Sequence, residues 1–294
     1  MGIGKYPVDI GKPIFTYFIK HFPMVLRISF YLLFELEVPT PFILMLRPRS
    51  NAAQWVEREE YKISPMIPVV EHTDIAGNLC QRLIAPSGTF SISTKAEVQV
   101  PDVVAVHFGA PFVEIQNLPD AILRYLLPSR YCESDRFNDL AVSITANELP
   151  GYNQVAAIES WLRNTISYIP GSSNFPISAV DVNYRQSGVC RDLAHLGIAL
   201  CRSISIPARI VVGYLHDLKP MDMHAWFEVY VGGCWYTFDA TQSDKKGGYV
   251  ALGYGTDAAD VAVFNQFGPG VVPLKQLVTV EKVAEEQENF HTKF

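Results

Sequence analysis

Three residues of this chain have the types and the setting for nucleophilic chemistry: Cys190 in SGVCRD, His224 in MHAWFEV and Asp239 in CWYTFDAT. The thiolate, not the thiol, is the nucleophile, so a working cysteine needs help to ionise. Cys190 opens the stretch CRDLAHLGIALCRS, whose Leu193, Leu196, Gly197 and Leu200 fall on one helical stripe. The first turn of a helix carries unpaired N–H groups and the positive end of the macrodipole. That setting favours a thiolate and lets the N–H of residue 190 face a developing oxyanion. Gly188 is expected to bend the chain sharply and let a substrate approach. Asp192, in the same turn, opposes a thiolate, and Arg191 is available to offset it. A lone cysteine at a helix start is more often a small buried side chain, as Cys201 on the same helix is read to be. The assignment therefore depends on a base.

A hairpin supplies one. HAWFEVYV and CWYTFDAT flank Gly232 and Gly233, the composition of a two-residue β-turn. With that turn, Val231 faces Cys234, Trp226 comes opposite Asp239 and His224 opposite Thr241. Directly paired residues share a face, so His224, Trp226, Asp239 and Thr241 all project on one side of the sheet. His224 and Asp239 become diagonal neighbours, roughly 7–8 Å apart at the backbone. The carboxylate can then fix the imidazole's tautomer and steady the imidazolium, while the other ring nitrogen serves the thiol. A three-residue turn would slip the register and destroy the shared face. Singly, a histidine on a strand and an aspartate at its end are ordinary structural residues. On one face, after a helix-opening cysteine, they read as a catalytic set.

The rest of the chain must position these groups. Residues 25–100 read as β: Ile92, Thr94, Ala96, Val98 and Val100 alternate with polar neighbours, and FYLLFELEV and PFILMLRP are short apolar runs bounded by prolines. Such strands with regular turns suggest a sandwich. The pattern then changes to helix at QVAAIESWLRNTI (154–166) and at Cys190, followed by a buried strand, ARIVVGYLH, and the hairpin. The fold class expected is α+β: an N-terminal β-sandwich-like domain, then a core in which the helix bearing the cysteine packs on an antiparallel sheet. The expected divisions are an extension over 1–23, a β-rich domain over 24–115, the core over 116–280 and a charged tail over 281–294.

The 294 residues carry 49% hydrophobic and 18% charged side chains and a net charge of −6, with both signs interspersed. This is a globular composition without the basic stripe that nucleic-acid binding needs. Five scattered cysteines show neither a disulfide framework nor zinc-ligand spacing, and they fit a reducing, cytoplasmic setting. The apolar stretch before residue 35 is broken by Lys20, His21, Pro23 and Arg27, so no membrane span is expected. No histidine pair has metalloprotease spacing, and neither a metal nor another cofactor is expected. His195, Asp257 and Asp260 read as structural, and Trp226 as core or site wall. Gln186 reads as either an oxyanion donor or a loop cap.

SGVCRDLAHLGIALCRSISIPARIVVGYL, MHAWFEVYVGGCWYTFDAT and YGTDAADVAVF resemble the transglutaminase-like superfamily, in particular its bacterial transglutaminase-like cysteine peptidases; these motifs span roughly residues 150–270. PTPFILMLRPRS and GNLCQRLIAPSGTFSISTKAEV resemble the β-rich domain preceding the core in that group. The resemblance implies a papain-like core with Cys190 as nucleophile, His224 as general base and acid, and Asp239 as orienter. It implies acyl transfer on protein or peptide amides, with water as the expected acceptor, making a cysteine peptidase or amidase, and a primary amine, making a transglutaminase, as the alternative. Arg191 stands where animal transglutaminases carry Trp, so the resemblance implies neither their substrate preference nor their calcium dependence here. A non-catalytic interaction scaffold is the alternative of a different class.

Overall fold

The structure, a computed structural model, describes residues 24–173 and 175–283. The extension over 1–23 and most of the expected tail (284–294) lie outside the described residues. The first half runs β1 (Met24–Leu36), β2 (Thr40–Leu44), β3 (Trp55–Ser64), β4 (Val70–Thr73), β5 (Leu79–Ala85) and β6 (Gly88–Val100). Then come α1 (Asp120–Leu123), α2 (Asn138–Thr145), α3 (Tyr152–Thr165), β7 (Ser167–Tyr168), α4 (Ala179–Arg185), β8 (Ser187–Gly188) and α5 (Cys190–Ser203). The described residues close with β9 (Ala208–Leu215), β10 (His224–Val231), β11 (Cys234–Phe238), β12 (Tyr249–Gly255), β13 (Phe264–Gln266) and β14 (Lys275–Lys282).

The alternation in β6 does what its period requires. Phe90, Ile92, Thr94, Ala96, Val98 and Val100 are all buried, and they meet the inward face of β1 across thirteen antiparallel pairs, from Met24↔Val100 to Leu36↔Gly88. Two four-stranded sheets, ordered β14-β1-β6-β3 and β13-β2-β5-β4, share one apolar core. Each sheet takes an edge strand from the far end of the chain: β14 pairs with β1, and β13 with β2. The charged segment around residues 280–282 is thus strand rather than tail, and Val280 is buried.

The third large sheet, ordered β11-β10-β9-β12, carries α5. The stripe Leu193, Leu196, Gly197 and Leu200 is buried in a core with Ala208, Ile210, Ala225, Phe227 and Val229 from the sheet and Val155, Ile158 and Leu162 from α3. Tyr214, Val250 and Leu252, from the same sheet, join the sandwich core instead. The sheet is therefore held between its helices and the sandwich. Gly197 lets α5 pack tightly on the sheet and on α3: a Cβ there would lie 2.8 Å from Phe227 Cε1 and 3.1 Å from Leu162 Cδ1. Gly197→Val overpacks this contact and is expected to cost about 1–3 kcal/mol, measured as a lower denaturant midpoint with an unchanged m-value.

Candidate active site

The turn at Gly232 and Gly233 has two residues, both at positive φ (56° and 84°). Val231 therefore faces Cys234, and the ladder runs on to Phe227↔Phe238. This is the register read from the sequence, and it has the consequence expected. His224, at the start of β10, and Asp239, just past the end of β11, meet with Nε2 2.6 Å from Oδ2. Both are buried, at 1% and 5% exposure.

A buried carboxylate has to be compensated, and Asp239 is. Its Oδ2 also accepts from Tyr249 Oη at 3.0 Å, and its Oδ1 accepts from Thr241 N at 2.9 Å and Thr241 Oγ1 at 2.7 Å. Burial alone would push the Asp239 carboxyl up; the His224 charge, its hydrogen bond and the Thr241 bonds outweigh that and hold it below the ordinary carboxylate range. Burial likewise works against a charged His224, but Asp239 and then Cys190 overcome it, so the imidazole holds its proton more tightly than a free histidine. Nε2 is committed to Asp239. Nδ1 is buried and, among the described residues, has no close hydrogen-bond partner, while Cys190 lies near enough to strengthen the ring's hold on its proton, so Nδ1 is the nitrogen left for Cys190.

Cys190 is the first residue of α5 and is half-buried. Asp192, fully buried, spends its charge locally: Oδ2 accepts from Ser173 Oγ at 2.6 Å and Val189 N at 3.2 Å, and Oδ1 from Arg191 Nε at 3.2 Å. Arg191 Nη2 reaches Ser173 Oγ and Phe175 O, each at 2.8 Å, tying that segment to the first turn of α5. Gly188 differs from expectation. Its φ is not positive and it is buried, and a Cβ would meet Asp192 Cβ at 2.8 Å. The missing Cβ makes room for the side chain of Asp192. Tyr168 lies opposite Gly188 in the β7–β8 ladder, where Cys190 and Asp239 both oppose ionisation of its phenol, after burial as the main cause.

Of the remaining residues singled out in the sequence, Gln186 caps α4 in the left-handed region (φ 53°) and turns its amide onto Asn183 O. His195 is buried and bonded at both nitrogens, to Ile177 O (3.0 Å) and Ala258 N (3.2 Å), and burial lowers its pKa to about 4. Asp257 accepts from Tyr131 N and Ala259 N, and Asp260 from Thr256 N and Oγ1. Trp226 stacks beside His224 with centroids 6.0 Å apart. Three groups were not anticipated. Tyr249 is one. Glu159, on α3, accepts from Asp239 N at 3.0 Å, and Arg163, one turn on, donates Nη2 to Asp239 O at 3.1 Å. No local signal marks these; Glu159 sits beside Ile158 in an amphipathic helix and reads as a solvent-facing charge.

Of the other thiols, Cys80, Cys132 and Cys201 are buried and Cys234 is exposed. Burial raises Cys80 to about 11 and pushes Cys132 and Cys201 higher still. Among the described residues, no three His, Cys, Asp or Glu side chains converge as metal ligands, and no helix is long and apolar enough to cross a membrane.

The sequence pattern of the transglutaminase-like superfamily matches residues 138–240. A solved structure from Cytophaga hutchinsonii, provisionally described as a cysteine protease, superposes with a TM-score of 0.81 at 35% identity, over 89% of this chain and 91% of that one. An uncharacterised Mycobacterium leprae protein is 28% identical over 255 residues, 81% of this chain and 91% of its own length. The uncharacterised YebA of Bacillus subtilis is 25% identical over 170 residues, and the match spans only 23% of that protein.

Because Asp239 raises His224's hold on its proton, the pair stabilises the fold fully below the unfolded imidazole value of about 6.5 and loses that contribution as pH rises through the raised value. In Cys190→Ala protein, the His224 imidazole should stay protonated through about pH 7, read by NMR titration of its ring nitrogens. Adding Asp239→Asn should bring proton loss down by about one pH unit or more.

Proposed function

Starting from a chain that belongs to the transglutaminase-like superfamily, we propose that it is a thiol-dependent acyl-transfer enzyme acting on amide bonds of proteins or peptides, with Cys190 as nucleophile, His224 as general base and acid, and Asp239 as orienter. The observation that carries this reading is the buried His224–Asp239 contact at 2.6 Å, with the other ring nitrogen left free beside Cys190.

In this mechanism the thiolate, with the imidazolium as counter-ion, attacks the amide carbonyl. The carbonyl oxygen takes the negative charge and accepts from the free N–H groups at the start of α5. As the C–N bond breaks, His224 Nδ1 gives its proton to the leaving amine, and a thioester remains on Sγ. A second nucleophile enters, His224 takes its proton, and the thiolate is released. Asp239 stays ionised throughout and holds the ring for both transfers. Water as the acceptor makes the enzyme a peptidase or amidase. The similarity to the Cytophaga protein described as a cysteine protease favours that outcome; a primary amine would make it a transglutaminase. Five cysteines without a disulfide are consistent with action in a reducing, cytoplasmic compartment.

Iodoacetamide should modify Cys190 about tenfold or more faster than exposed Cys234 at pH 6, and this advantage should vanish in His224→Ala. Equal rates would sink the triad. With a glutamine-containing peptide and a labelled amine, free acid should form with little label, and Cys190→Ala should form neither. Label accumulating in place of acid would reassign the acceptor.

A further inference from the structure

Where β6 leaves the sandwich, the chain does not turn away from the core. Residues 101–104 lie along the loop that joins β11 to β12. Gly248 N donates to Pro101 O at 3.0 Å, Gly247 N to Asp102 O at 2.8 Å and Val104 N to Lys245 O at 2.9 Å, with a bridge between Val103 and Lys246. The fit is tight: a Cβ on Gly247 would lie 2.1 Å from Pro101 O and 2.5 Å from Asp102 C. The loop held in this way runs from Asp239 to Gly248, just before Tyr249 opens β12. Its Lys245 sends Nζ to Glu159 Oε1 and Oε2, at 2.8 and 2.6 Å. Glu159 in turn accepts from Asp239 N at 3.0 Å. Val104, Glu159, Asp239, Lys245 and Tyr249 line one small recess.

The direction of support follows from burial. The Glu159 side chain is 5% exposed and that of Lys245 36% exposed. A partly exposed lysine on a free loop would hold its partner weakly, because screening and side-chain entropy oppose the pair. Here the Lys245 carbonyl is pinned by Val104, so the ammonium is delivered to a carboxylate that needs it. Without it, the ion-pair partner left to the buried Glu159 among the described residues is Arg163, at 3.3 Å, and its bond to Asp239 N has no fixed anchor.

Building on the triad reading above, we propose that the N-terminal sandwich is a working part of the active site: residues 101–104 position Asp239 through Lys245 and Glu159 on one side and Tyr249 on the other. Lys245, Glu159 and Gly247 are positioning residues in this scheme, and none touches the reacting atoms. The titratable and charged groups facing the His224–Asp239 pair are Cys190 from α5, Tyr168 from β7, Tyr249 from β12, Glu159 and Arg163 from α3, and Lys245 from the loop, with Asp222 and Asp244 farther out.

The test is the pH profile of Cys190 alkylation by iodoacetamide in the full chain, read peptide by peptide, with thermal midpoints recorded for every variant. A displaced Asp239 weakens the imidazolium, so the thiolate forms at higher pH. Gly247→Val and Lys245→Met should each raise the half-maximal pH of Cys190 labelling by about one unit, with Cys234 unchanged. Lys245→Arg should restore the wild-type profile. In an Asp239→Asn background, Gly247→Val should add no further shift. A wild-type profile in folded Gly247→Val or Lys245→Met, or full additivity with Asp239→Asn, overturns the proposal. If Gly247→Val does not fold, Lys245→Met and its arginine rescue decide it. Wild-type Cys190 that ignores His224→Ala would instead defeat the triad itself.

Discussion

A carboxylate buried at 5% exposure has to find partners for its charge, and Asp239 finds four donors. Two bonds to each oxygen fill the acceptor capacity of an ionised carboxyl. The donors come from β10, from β12 and from the residue two past Asp239 itself. They coincide only if the hairpin is in register and β12 is docked on β9, on the other side of that strand from β10. An aspartate here that lost its partners would carry an uncompensated buried charge, which costs several kcal/mol. Misregistered alternatives are therefore penalised, and the sheet's order and the site's geometry are one constraint.

The local part of that constraint was legible in the sequence. Two glycines between alternating strands fix a two-residue turn, and the period of a strand then places His224 and Asp239 on one face, as the ladder from Val231↔Cys234 bears out. The helix opening at Cys190 and its stripe over Gly197 were legible for the same reason: each is a pattern within one element. The rest depends on partners far along the chain. Glu159 precedes Asp239 by 80 positions, and its helical neighbours give it the look of a surface charge. β13 and β14 complete sheets begun by β2 and β1, and no period within them says so. Gly188 has a second reason that no local pattern shows. A Cβ there would run into the side chain of Asp192, four positions on.

That pair of charges at the head of α5 resolves a tension inherent in SGVCRD. An acid in the first turn favours the helix but opposes an adjacent thiolate. The fold answers by turning Asp192 inward onto Ser173, Val189 N and Arg191. Its charge is shared among local donors, and with Arg191 these contacts tie Ser173 and Phe175 beside the cysteine. Arg191 thus serves the acid and the neighbouring segment at once, a role for which the tryptophan of animal transglutaminases has no equivalent donors.

The three groups of the proposed triad also differ in their access to water, and the order matters. Asp239 and His224 are buried, and Cys190 is half-buried. In the proposed mechanism a substrate would approach the half-buried residue and leave the two buried ones in place. Charge on the imidazole is stabilised by a fixed carboxylate in a poorly screened interior, where the interaction is stronger than at the surface. The same burial makes the acid end costly to hold, since neither His224 nor Asp239 can fall back on solvent. Fixed donors and backbone anchors must do what water would otherwise do. That accounts for the density of support behind Asp239, with Glu159 on its N–H, Arg163 on its carbonyl and Tyr249 on its carboxylate, while Cys190 needs little more than the start of a helix and a neighbouring ring.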